Sequence, residues 1–311
     1  MMQVLHGLEF VPVYSKGAVL AIGNFDGVHR GHQALIERTA ELARKTGRHA
    51  GVMIFEPHPR EYFHPNDPHF RLTQLPEKLR LFEAQGLKLA IVMSFDHALA
   101  GLDAEEFIAR YLVEALLVSH VVIGYDFFFG KGRGGTPESM RTAGLKFGFG
   151  VTVVDPVAED GEVFSSTAIR LKLAQGDVTG ATHDLGRPWR VAGKVVAGAR
   201  RGAVLGFPTA NLPMPKGTAL AHGIYAVRVE IGAERYQGAA YLGTRPTFDD
   251  GMPVLEVFLF DFEGDLYGRD MSVEFIGFVR PDRKFWSAEA LRSQMVQDCE
   301  EAKRMLGAHS S

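Results

Sequence analysis

The chain has 311 residues, 46% of them hydrophobic and 23% charged, which excludes a disordered polypeptide and leaves room for two domains with separate cores. Its net charge of -3 at pH 7 gives no electrostatic case for nucleic acid or another polyanion as a partner. Cys299 is the single cysteine, so an intramolecular disulfide is excluded; the thiol reads as a small apolar residue of a C-terminal helix, suited to a reducing compartment.

The opening MMQVLHGLEFVPV has no cationic segment leading into an apolar one, and no apolar run reaches 18 residues. The most apolar stretch, 115–124, holds His120 and is too short to cross a bilayer. The expectation is a cytoplasmic chain without a membrane partner.

Short apolar runs over 19–22, 52–55, 89–93, 121–123 and 151–154 predict buried strands. Between them, 33–45, 76–85, 104–116 and 137–147 carry apolar residues at three- and four-residue spacing, which predicts helices. This alternation predicts a parallel sheet with helices on both faces. Two short helices over 167–175 and 178–185 close the domain, and the pattern changes at Gly186-Arg187-Pro188. From Trp189 to about Arg280 the hydrophobic period is near two, with glycine turns between runs, as in an antiparallel barrel or sandwich. A last helix is predicted over 288–306. The domains are therefore expected over 1–186 and 187–311.

Directly after the strand over 19–22 comes GNFDGVHRGH, from Gly23 to His32. Its glycines permit a sharp turn and close approach of a ligand to the backbone. The helix that follows directs its free N–H groups and positive dipole end at the turn, a ready anion site. His29 and His32 share one face of the first helical turn, where two imidazoles can donate hydrogen bonds to the oxygens of a polyphosphate. The competing readings are exposed histidines or metal ligands, but a structural zinc site takes about four ligands and neither a Cys nor a third nearby His supplies them. Placement in a first βα turn favours ligand binding, because ligands sit at the carboxyl ends of strands in such sheets.

The string resembles the GxFDGVHxGH signature of the nucleotidylyltransferase superfamily, in the form found in bacterial bifunctional riboflavin kinase/FAD synthetases. The resemblance implies a Rossmann-like, nucleotidylyltransferase-type α/β parallel-sheet domain, with ATP held at Gly23, Asn24, Phe25, His29 and His32. The two histidines would contact its phosphates and stabilise the α-phosphoryl transition state.

Phe55-Glu-Pro-His-Pro-Arg60 follows the second predicted strand; its prolines stiffen the backbone and Phe55 offers an apolar face to a flat ring, although an ordinary proline-rich loop reads the same way. It resembles the FEPHP segment of the family's flavin pocket, which implies FMN contacts from Phe55, Pro57, His58 and Pro59. The stretch from Gly130 to Gly135 formally matches GxGxxG, but Pro137 follows at once and the unit is not the first βαβ, so a dinucleotide site is rejected. Thr136 after Gly135 leaves no Walker A lysine. The family reading of Gly124 to Gly130 is a loop that contacts FMN with Asp126 as polar anchor, and Phe128 stands where the pattern has Arg. Phe164-Ser-Ser-Thr-Ala-Ile-Arg170 supplies helix caps on spacing alone. It also resembles the SSTxIR motif, implying ATP contacts from Ser166, Thr167 and Arg170.

In the second domain, Gly206-Phe-Pro-Thr-Ala-Asn211 reads either as a turn or as a pair of oxygen ligands, Thr209 and Asn211, of the kind Mg²⁺ prefers beside nucleotide phosphates. It resembles the GxPTAN motif of riboflavin kinases, which implies an antiparallel β-barrel riboflavin kinase domain with a C-terminal helix. ATP would sit at Gly206, Pro208, Thr209 and Asn211, with Mg²⁺ on Thr209 and Asn211. Ala203 replaces a frequent basic residue, leaving Arg200 and Arg201 as nearby cations. Glu256 alternates with Leu255, Val257 and Leu259 and so faces away from them; pattern alone makes it a solvated carboxylate, and the resemblance makes it the base for the ribityl hydroxyl.

The implied enzyme phosphorylates riboflavin to FMN and adenylylates FMN to FAD, using Mg²⁺ with ATP and treating flavin as substrate and product rather than as a permanent cofactor. Riboflavin, FMN and ATP are its expected partners, as a monomer or weak homo-oligomer. Two other functions compete. A transferase that adenylylates a different phosphate has no use for GFPTAN, and a passive flavin-binding protein has no use for paired ATP motifs.

Overall fold

β2 (Val19–Ile22) has four apolar residues in succession, so it offers apolar side chains to both faces and must be covered on both. It lies inside a wholly parallel six-stranded sheet ordered β1 (Gln3–His6), β4 (Leu89–Ser94), β3 (Ala50–Glu56), β2, β5 (His120–Gly124), β6 (Gly150–Val154). The computed structural model describes residues 1–197, 206–244 and 253–308. On one face Val19, Ala21, Val52 and Ile54 pack with α1 (Arg30–Thr46) through Ile36 and Ala43 and with α3 (Leu75–Ala84) through Leu81 and Phe82. On the other, Leu20, Ile22, Met53 and Ile123 pack with α5 (Ala104–Phe107) and α6 (Pro137–Phe147). The short helices α2 (Pro59–Phe63) and α4 (His97–Gly101) and a ribbon of β7 (Ala158–Glu159) and β8 (Glu162–Val163) complete this unit.

From β2 the chain runs outward through β3 and β4, and it then returns to lay β5 and β6 on the opposite side. The order reverses between β2 and β5, and the crevice outside their carboxyl ends is where this architecture binds ligands. The helix expected over 104–116 is α-helical only through Phe107 and continues as a π-helix over Ile108–Ala115. Ile108, Leu112 and Leu116 are all buried, and their four-residue spacing fits the wider turn as well as it fits an α-helix.

Packing divides the chain into Met1–His69 with Thr73–Ser165, and Phe70–Leu72 with Ser166–Ser311. α7 (Ser166–Ala174) and α8 (Val178–Leu185) thus group with the residues that follow, ahead of the change in periodicity at 186–188. Lys172 of α7 pairs with the buried Asp184 of α8 at 2.7 Å. The rest of this unit is an antiparallel sheet ordered β10 (Ala210–Pro213), β13 (Pro253–Leu259), β12 (Glu234–Thr244), β11 (Gly223–Ile231), β14 (Asp270–Pro281), β9 (Trp189–Lys194). A bridge between Val196 and Asn211 joins its two ends and nearly closes the barrel. Val227, Val229, Leu255, Val257 and Phe275 fill the interior. Ala226 and Ile276 face outward onto Ala302 and Leu306 of the C-terminal helix α9 (Ala288–Ala308), which Arg280 anchors by a two-pronged bond to the buried Asp298.

Candidate active sites

The turn after β2 is tight because Phe25, Gly27 and Val28 all adopt positive φ, at 50°, 86° and 42°. Such a conformation costs little for glycine and about 1–3 kcal/mol for other residues, a strain typical of ligand sites. Burial of Phe25 and Val28 in the core over β2 holds it. His29 then caps α1, its Nδ1 accepting the His32 N–H at 3.4 Å. The two imidazoles stack with ring centroids 3.7 Å apart and planes 24° from parallel. His29 is buried and His32 half-buried, with the Phe25 ring 5.2 Å from His32. The structure therefore brings Gly23, Asn24, Phe25, His29 and His32 together at a helix N-terminus on the crevice edge.

Two buried contacts tie this turn to Thr73 and Lys78, residues that belong to no motif. Asp26, 4% exposed, accepts the Thr73 N–H at 3.1 Å, while Thr73 Oγ1 accepts the Gly27 N–H at 3.0 Å. His69 Nε2 lies 4.0 Å from Asp26, and its ring is 4.7 Å from that of His58. Lys78, 2% exposed, donates to the Asn24 carbonyl at 3.0 Å and pairs with Glu56 at 3.5 Å. One signal for Lys78 was available: it falls on the apolar stripe of α3 with Leu81 and Phe82, where a lysine has no reason to be unless something inside receives it.

After β3, the Glu56–Pro57 peptide is cis, and His58 caps α2, with Pro59 in the helix's first turn. The Phe55 ring faces Phe95 at 6.2 Å and Phe107 at 6.3 Å, and Phe107 continues to Phe129 at 5.7 Å. Phe127 stacks on Phe129 at 5.3 Å. This aromatic train joins the end of β3 to the loop after β5, and motif matching missed Phe95 and Phe107 within it. Asp126 is exposed, and it folds back so that a side chain at Gly124 would meet its Oδ1 at 3.0 Å. Phe128 carries the Arg133 guanidinium over its ring at 4.9 Å, so a cation is present on this loop although not at the expected position.

In the other unit, Ser166 and Thr167 open α7, and Arg170 donates to the Phe70 carbonyl at 2.7 Å. In the barrel, Asn211, 3% exposed, is the cross-strand partner of Glu256. Thr209 Oγ1 donates to Glu256 Oε2 at 3.4 Å. Gly206 and Pro208 lead into this corner, and Leu255, Val257 and Leu259 point into the core as the alternation requires. Arg200, Arg201 and Ala203 lie outside the described residues. The carboxylate, hydroxyl and amide oxygens form a hard donor set, which suits Mg²⁺ and not a softer metal.

The family model for FAD synthetase matches residues 12–168, and that for riboflavin kinase matches 185–306. The bifunctional riboflavin kinase/FMN adenylyltransferase of Escherichia coli K12 is 40% identical over 97% of this chain and 96% of its own. The Pseudomonas fluorescens protein of the same name is 40% identical over 100% and 99%, and the Bacillus subtilis one 35% identical over 97% and 96%. The solved structure of a Streptococcus pneumoniae protein described as a macrolide-efflux protein matches with a TM-score of 0.86 and 32% identity, over 97% of this chain and 98% of that one. Among the described residues here, no helix is long and apolar enough to cross a membrane. With each half matched by its own model and relatives aligned from end to end, the chain belongs to the family of bifunctional riboflavin kinase/FMN adenylyltransferases.

Proposed function

We propose that the barrel phosphorylates riboflavin to FMN and that the parallel-sheet domain adenylylates FMN to FAD, each with its own ATP. The observation that carries the reading is the pairing of Glu256 with Thr209 and Asn211 in one unit and the stacking of His29 on His32 in the other. The functional division follows 1–186 and 187–311, with Ser166, Thr167 and Arg170 serving the first activity.

In the barrel, Glu256 takes the proton from the ribityl 5′-hydroxyl as that oxygen attacks the γ-phosphorus, and ADP leaves. The Thr209 hydroxyl holds the carboxylate in place, and Asn211 fixes its strand register. Gly206 and Pro208 shape the approach of ATP. Mg²⁺ brought with ATP would be held by Thr209 and Asn211, and its charge would offset that of the phosphates.

In the other domain, an oxygen of the FMN phosphate attacks the α-phosphorus of ATP in line, and pyrophosphate leaves. Because His29 Nδ1 accepts a backbone N–H, its neutral ring carries the proton on Nε2, where it can donate to a phosphoryl oxygen. His32 and the turn formed by Gly23, Asn24 and Phe25 add further donors, while Arg170 supplies fixed charge and Ser166 and Thr167 supply hydroxyls. Phe55, Pro57, His58, Pro59 and Asp126 hold the flavin. Catalysis is positioning plus charge stabilisation, without a covalent enzyme intermediate.

The reading places the enzyme in the cytoplasm as a monomer or weak homo-oligomer, with small-molecule partners. Incubation with riboflavin, ATP and Mg²⁺, followed by chromatography of the flavins, tests it. FMN and then FAD are expected; FMN alone would remove the second activity, and unchanged riboflavin would leave only passive binding.

A further inference from the structure

Resting on the adenylyl-transfer reading of the first domain, we infer that Lys78 is a positioning residue for that reaction, acting through Asn24. A lysine 2% exposed, on a helix face shared with the buried Leu81 and Phe82, has left water for an apolar layer. Such a charge persists only where acceptors receive it. Its ammonium reaches the two ends the chemistry depends on: the Asn24 carbonyl after β2, at 3.0 Å, and the Glu56 carboxylate at the end of β3, at 3.5 Å. The next residue in one case is Phe25, at φ 50°; in the other it is Pro57, followed by His58.

The Asn24 contact has a specific mechanical consequence. The peptide linking Asn24 to Phe25 is planar, so a carbonyl drawn toward Lys78 also fixes the direction of the Phe25 N–H. Phe25 is a non-glycine residue in the left-handed region, where the backbone returns to a commoner conformation unless something holds it. Lys78 grips the carbonyl immediately before that residue. The turn that must meet the nucleotide phosphates is thereby held in its bound shape, and His29, four residues on, is set with it.

The test uses the full chain with Lys78→Met, Glu56→Gln and the double variant. Three quantities are read: kcat and KM for FAD formation from FMN, the rate of FMN formation from riboflavin, and the thermal unfolding midpoint. Lys78→Met is expected to lower kcat for FAD formation by about 10²-fold, the size of a misplaced reacting group, and to leave riboflavin phosphorylation unchanged. The double variant removes both charges and is expected to recover part of the midpoint that Lys78→Met loses, without recovering kcat. Glu56→Gln alone is expected to cost less kcat than Lys78→Met. The assignment is overturned if the double variant regains FAD formation together with its midpoint, or if Lys78→Met forms FAD at the full rate. It is also overturned if Glu56→Gln costs as much as Lys78→Met, which would give the role to the carboxylate. If Lys78→Met does not fold, the double variant carries the comparison. Failure of the unsubstituted chain to form FAD would refute the underlying activity instead, so the two failures are told apart by that control.

Discussion

Asn211 and Glu256 face each other across the β10–β13 pairing, and Thr209 Oγ1 sits 3.4 Å from the same carboxylate. The carboxylate of Glu256 is thus brought by strand register to a hydroxyl and an amide that lie far from it in sequence, and register is rigid where one face of each strand is buried. Glu256→Gln keeps the shape and the cross-strand pairing but removes the proposed base. Riboflavin phosphorylation should fall by about 10²–10⁴-fold, while FAD formation from supplied FMN stays at the level of the unsubstituted chain. Separate assays started from riboflavin and from FMN check this, and retention of full FMN formation would dismiss Glu256 as the base.

His29→Ala is the complementary case. The ring is buried at the N-terminus of α1 and stacked on His32, so its loss removes the proposed phosphate donor and the cap that accepts the His32 N–H. By comparison with deleting one donor from an oxyanion site, kcat for FAD formation should drop by about 10²–10³-fold. FMN formation should be unaffected. Equal rates of FAD formation by both forms under single-turnover conditions would show that the histidine has no part in the transfer.

Much of this was legible in the sequence because it rested on local pattern. The five short apolar runs became strands β2 to β6; β2 to β5 lie inside the sheet, where burial on both faces demands apolar residues, while β6 at the edge is half-buried along its length. The GNFDGVHRGH and GFPTAN strings were readable because a sharp turn and adjacent oxygen donors leave marks at fixed spacing. β1 was not legible, since its four residues alternate little and gain their place only by pairing with β4. Thr73, His69 and Lys78 were not legible as site residues either. They meet Asp26 and Asn24 across 43 or more positions of chain, and only the folded parallel sheet brings those segments together. Lys78 left one trace, a charge on an apolar stripe; Thr73 left none.

Asp26 tests that hidden layer. Its Oδ1 accepts the buried Thr73 N–H at 3.1 Å, so Asp26→Ala strands a donor away from water, at a cost of about 1–3 kcal/mol. Asp26→Asn retains an acceptor at that oxygen and should cost less. Denaturant midpoints of the two variants give the ordering directly. FAD formation should fall with Asp26→Ala more than with Asp26→Asn, because Gly27 and His29 lose their anchor while the barrel is untouched. Identical stability of all three chains would mean that the Thr73 contact contributes nothing.

His120 gives a pH dependence whose sign follows from burial. It opens β5, with Nε2 2.8 Å from Thr152 Oγ1 in β6 and Gly150 so close that a Cβ there would overlap the ring. Burial, and secondarily the charge of Arg38, hold its pKa below the ordinary histidine value of 6.5. The unfolded chain therefore takes up a proton at His120 at a higher pH than the folded one does. Across that interval the unfolded state binds more protons, so stability rises with pH. The contribution is fully present above the unfolded pKa and is lost as pH falls through the lower, folded one. The unfolding midpoint of the intact chain should decline, as pH falls below about 7, more steeply than that of His120→Gln, whose amide can still meet the Thr152 hydroxyl. Since the other histidines are common to both chains, the difference between the two curves isolates His120. Parallel curves, or an NMR titration that places His120 at or above the ordinary value, would contradict the assignment.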